Sequence, residues 1–72
     1  MICAEYTRLM EQSRAMQVEA DEHQEIAMTA FNEGRMADAT LSFARQELAQ
    51  AEADQLAQEA AWAQYRFERG LS

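Results

Sequence analysis

One internal glycine, Gly34, is the only strong helix breaker inside this chain; there is no proline in its 72 residues, and the other glycine is Gly70. Proline and glycine weaken a helix by about 3 and 1 kcal/mol relative to alanine. On either side of Gly34 the chain is made of good helix formers: 15 Ala, 10 Glu, 8 Gln, 6 Arg, 5 Leu and 5 Met fill 49 of the 72 positions. This composition makes the fold all-α and excludes a sandwich, a barrel or a βαβ unit. In the segment Asn32-Glu33-Gly34-Arg35 the glycine can take the left-handed conformation that ends a helix, which predicts a turn. The chain therefore reads as a single helical hairpin over 1–72, with a helix from about 3 to 33, a turn at about 34 to 36 and a helix from about 37 to 68.

Apolar and small residues recur at alternating spacings of three and four in both arms, the mark of a heptad seam. In the first arm the series is Ile2, Tyr6, Leu9, Ser13, Met16, Ala20, His23, Ala27 and Ala30. In the second it is Ala37, Leu41, Ala44, Leu48, Ala51, Gln55, Gln58, Trp62 and Tyr65. Folded back antiparallel, the two series face each other with residue numbers that add to 71, as in Ala30 with Leu41, Leu9 with Trp62 and Tyr6 with Tyr65. The expected architecture is an antiparallel two-helix hairpin, coiled-coil-like, with an Ala-rich seam near the turn. Ser13 with Gln58 and Met16 with Gln55 form a polar section, where amides can bond across the seam and fix register. At the turn, Gly34-x-Met36-x-x-Ala39-x-x-x-Phe43 resembles the middle of a tetratricopeptide repeat. There a glycine closes one helix, and small and aromatic residues on the next pack against it. The likeness covers about ten residues with no second copy, and it implies a helix-turn-helix at this point.

The second arm carries another stripe, Ser42, Ala49, Ala53, Leu56, Ala60, Ala63 and Phe67, which this seam leaves open. A ridge of Arg45, Glu52, Glu59 and Arg66 separates the two stripes. Domains of about 60 residues bury only about 60% of their unfolded surface, and an alanine seam adds little to that. The expectation is that two hairpins pair through the open stripe as a homodimer, a four-helix bundle. Ala49, Ala53, Leu56, Ala60, Trp62, Ala63 and Phe67 are the candidate residues for dimer or partner contact.

The net charge is −7 at pH 7, and all six basic residues are arginine. Such a chain repels nucleic-acid phosphates and anionic membrane surfaces; a basic protein surface suits it better. Glu19, Asp21, Glu22 and Glu25 form the densest acidic group and the candidate docking patch. The chemical inventory is thin. His23 is the only histidine, no Glu-x-x-His pair is present, and Cys3 is the only thiol. No catalytic residue, cofactor or metal is expected, and the chain does not read as an enzyme. No apolar run approaches the roughly 20 residues a bilayer needs, and no basic segment followed by an apolar core marks a signal peptide. The lone thiol points to a reducing, cytoplasmic setting. The function expected is that of a small acidic protein–protein interaction module, an adaptor, small chaperone or inhibitor. It would bind a larger protein through an apolar helix face, and a basic surface on that protein would suit its charge. The alternatives are a structural coiled-coil oligomerisation element and an acidic decoy that mimics nucleic acid.

Overall fold

A computed structural model describes residues 2–70. It holds two helices, α1 (Ala4–Asn32) and α2 (Met36–Arg69), packed side by side and antiparallel in a rod 54 × 14 × 10 Å between Cα extremes. No strand occurs among the described residues.

The turn is built as the glycine predicts. Gly34 has φ 79°, and the Arg35 amide donates to the Ala30 carbonyl at 2.8 Å while the Gly34 amide donates to Phe31 at 3.1 Å. These two bonds are the paired closure of a helix by a left-handed residue, and they satisfy carbonyls that the helix end leaves open. Arg35 then bridges the turn, its guanidinium reaching Glu33 at 3.0 Å and Asp38 at 3.2 Å. All three side chains are exposed, so the bridge adds little stability.

On α1 the inward face is the one the spacing predicts, less its first member: Tyr6, Leu9, Ser13, Met16, Ala20, His23, Ala27 and Ala30 are buried or half-buried, whereas Ile2 is exposed. On α2 the expectation fails. Its inward face is Ala39, Ser42, Gln46, Ala49, Ala53, Leu56, Ala60 and Ala63, again buried or half-buried. The predicted series Ala37, Leu41, Ala44, Leu48, Ala51, Gln55, Gln58, Trp62 and Tyr65 is exposed throughout. The two stripes of α2 exchange places, and the one read as open closes the hairpin.

A shift of two residues accounts for the exchange. Read outward from the turn, Ala30 lies level with Ala39, Ala27 with Ser42, Ala20 with Ala49 and Leu9 with Ala60, so that paired numbers add to 69 instead of 71. Each residue turns a helix by roughly 100°, so two residues of slip rotate α2 by roughly 200° and bring its opposite face inward. Side-chain size favours this register. Adding to 71 sets Leu9 on Trp62 and Tyr6 on Tyr65, large on large. Adding to 69 sets Leu9 on Ala60, Tyr6 on Ala63 and Met16 on Ala53, so that these three large residues of α1 each sit over an alanine and the backbones close up.

Hydrogen bonds across the seam fit the closer approach. Ser13 Oγ donates to the Ala53 carbonyl at 2.7 Å. The amides of Gln17 and Gln50 exchange two bonds of 2.8 Å, and the Cys3 backbone amide donates to Gln64 Oε1 at 2.9 Å. Amide bonding across the helices is thus present, but it uses these residues and leaves Gln55 and Gln58 outside. The interior is almost entirely alanine, with Ala27 and Ala60 fully buried, and Leu9 is the one large apolar side chain buried among the described residues.

Candidate interaction faces

With the smaller stripe turned inward, α2 presents its larger residues outward. Leu48 is 72% exposed, Trp62 62% and Leu41 51%. From Leu41 to Tyr65 each residue of this outward stripe lies two positions beyond a seam residue, roughly 200° around the helix. The stripe keeps the three-and-four spacing of a coiled-coil face from Ala37 to Tyr65. It is therefore a second heptad seam without a partner inside the monomer.

The open end of the stripe is the most organised part. The rings of Trp62 and Tyr65 meet edge to face at 5.7 Å and 83°, and the Arg69 guanidinium lies 5.2 Å from the centre of the Tyr65 ring. Positions 62, 65 and 69 are three and four apart, which stacks their side chains along one side of the helix. Trp62 and Tyr65, with Gln58 and Ala61, line a shallow open groove. Tryptophan, tyrosine and arginine are the residues that most often carry binding energy at protein interfaces, because each offers a large contact area and a polar edge.

The candidate contact residues read from the sequence divide between two places. Ala49, Ala53, Ala60 and Ala63 are buried in the hairpin seam, and half-buried Leu56 packs beside Leu9. These five already serve the fold, and their placement corrects the reading of them as an open stripe. Trp62 and Phe67 are exposed. Leu41, Leu48 and Tyr65 are the face residues that spacing assigned to the seam. The signal that finds them is size, since the larger α2 stripe cannot approach the large residues of α1 as closely as the alanine stripe can.

Glu19, Asp21, Glu22 and Glu25 are all exposed. Their spacing puts Glu22 and Glu25, with Val18, on the side of α1 turned away from α2, and Glu19 and Asp21 on its two flanks. The acidic patch and the apolar stripe consequently lie on opposite edges of the rod, and the acidic residues do not rim the stripe. A smaller apolar group, Met28, Phe31 and Phe43, is exposed near the turn. His23 is half-buried in the seam, level with Gln46. Among the described residues, no group of three His, Cys, Asp or Glu side chains is placed to hold a metal ion, and no helix is long and apolar enough to cross a membrane. Comparison with protein-family models, with curated proteins and with solved structures finds no match.

Proposed function

We propose that this chain is a small acidic protein–protein interaction module of the cytoplasm, which docks another helix along the outward face of α2. In the role of adaptor, small chaperone or inhibitor, that helix belongs to a larger protein. The observation that carries the reading is the unpartnered heptad stripe, ending in the ordered Trp62, Tyr65 and Arg69 group. Helix-in-groove recognition uses anchors at this spacing. The acidic edge of α1 supplies a long-range field that favours partners with basic surfaces. The regular heptad spacing also supports a second reading, in which the module is a structural oligomerisation element and the docked helix comes from another copy.

Photo-cross-linking in the producing cell tests the docking face. A cross-linking side chain at Leu48 or Trp62, both largely exposed, should capture a protein, and one at Val18 on the acidic edge should not. Capture from position 18 alone would favour the nucleic-acid-mimicking decoy and reject the apolar face as the site.

A further inference from the structure

We infer that a second copy of this chain closes the outward stripe, α2 against α2 and antiparallel. The inference rests on the reading of that stripe as a helix-docking face, and it names the helix.

The first argument is area. A compact protein of 8.2 kDa exposes about 4,500 Å². This hairpin, a rod, exposes 5336 Å², so its long side leaves surface on which a standard interface of about 800 Å² on each partner can form.

The second argument is charge, with the hairpin's own seam as the ruler. There, level residues add to 69, whereas the flanking pairs that bond on one side, Gln17 with Gln50 and Cys3 with Gln64, add to 67, two less. In an antiparallel pair of outward stripes whose level residues add to 106, Leu41 meets Tyr65 of the other copy, Ala44 meets Trp62, and Leu48 meets Gln58. The flanking residues on the matching side then add to 104. Asp38 meets Arg66 and Arg45 meets Glu59, each pair twice by symmetry. Like charges meet only on the axis, at Glu52 and, on the other flank, at Asp54. Moving the register by one heptad destroys the match. At 99, Arg45 gains Glu52, but Asp38 meets Glu59 and Glu47 meets Asp54, so repulsive pairs outnumber attractive ones; at 113, Arg45 meets Arg66 and Glu52 meets Glu59. A parallel pair fares no better, since it sets Glu47 against Glu52 and Asp54 against Glu59 in both directions. One orientation and one register satisfy the charged ridge.

From Arg45 to Arg66 the ridge is also free for this use, whereas Asp38 would share its carboxylate between Arg66 of the other copy and its own Arg35, which it meets at 3.2 Å. Among the described residues, the ion pairs within the hairpin involve only Arg8, Glu5, Arg35, Glu33 and Asp38. Arg45 and Arg66 take part in none, and Glu59 accepts only a 3.5 Å bond from Gln55. Arg45 and Glu59 can therefore be exchanged without disturbing a charge contact inside the monomer.

Sedimentation equilibrium with circular dichroism tests the proposal. Wild type should be a dimer, and Leu48→Asp a helical monomer. Arg45→Glu should weaken association about tenfold by replacing two attractive contacts with repulsive ones, and Arg45→Glu with Glu59→Arg should restore it. Cysteine pairing then reads orientation in a Cys3→Ser background. Glu52→Cys, on the axis, should oxidise rapidly to a cross-linked dimer, and Leu41→Cys should not. A wild type that stays monomeric throughout the micromolar range overturns self-pairing and leaves the docking face to the cross-linking test at Leu48 and Trp62. A dimer that survives Leu48→Asp, a double variant no tighter than Arg45→Glu, or faster pairing at position 41 than at 52 also overturns it.

Discussion

Serine is too short to bridge two helices unless their backbones lie close, and here the Ser13 hydroxyl donates to the Ala53 carbonyl of the opposite helix at 2.7 Å. The contact is possible because Ala49, Ala53 and Ala60 are buried on α2 and Leu56, the one larger apolar residue among them, is only half-buried and turns toward Leu9, so the backbones can approach. A hydrogen bond of this kind contributes about 1 kcal/mol net. Ser13→Ala leaves the Ala53 carbonyl within its own helix and adds no bulk, so the expected loss is that of the bond alone. Thermal melting should register it as a fall of about 4–8 °C, the shift that 1 kcal/mol gives a domain of this size. An unchanged melting temperature would mean that water replaces the serine at no cost and that the close approach rests on alanine packing alone.

At the scale of the helix, spacing and size carry different information. Spacing alone makes the hairpin legible, because Gly34 is the one internal break and both arms repeat at three and four. It also identifies the inward face of α1, which has a single stripe of that kind. On α2 two stripes share the spacing, and the series whose numbers add to 71 with those of α1 is the wrong one. The larger residues are the more apolar, but buried against Leu9 and Tyr6 they would hold the backbones apart. The alanine stripe buries less area per residue but admits closer packing and the bonds at Ser13, Gln17 and Cys3. The candidate interaction face was misplaced for the same reason, since it is the complement of the seam. Two aspartate substitutions separate the stripes. Leu56→Asp puts a charge beside Leu9, at a cost of about 2–3 kcal/mol, and should remove most of the helical circular dichroism signal. Leu48→Asp, at a position that is 72% exposed, should leave a helical hairpin. Equal losses in both would place the two stripes in equivalent surroundings and reject the register that adds to 69.

For the molecule as a whole, the weakness of the interior and the reach of the outward stripe are one problem. A seam of alanines contributes about 0.8 kcal/mol for each buried methyl-sized group, and a single hairpin has no second layer to add to it. Acidic self-repulsion from a net charge of −7 works in the same unfavourable direction. A second copy along α2 supplies the missing apolar contact, and folding then becomes linked to association. Linkage has a measurable form: a partner that binds only the folded chain stabilises it by about 1.4 kcal/mol for each tenfold rise in concentration above its dissociation constant. In a chain this small that corresponds to several degrees of melting temperature per decade. Wild type should therefore melt higher as it is concentrated. Leu48→Asp, with the seam intact and the outward stripe broken, should melt at one temperature whatever its concentration, close to that of dilute wild type. A wild-type melting temperature independent of concentration would mean that the alanine seam holds the hairpin unaided, and the outward stripe would then be free to take a helix from another protein.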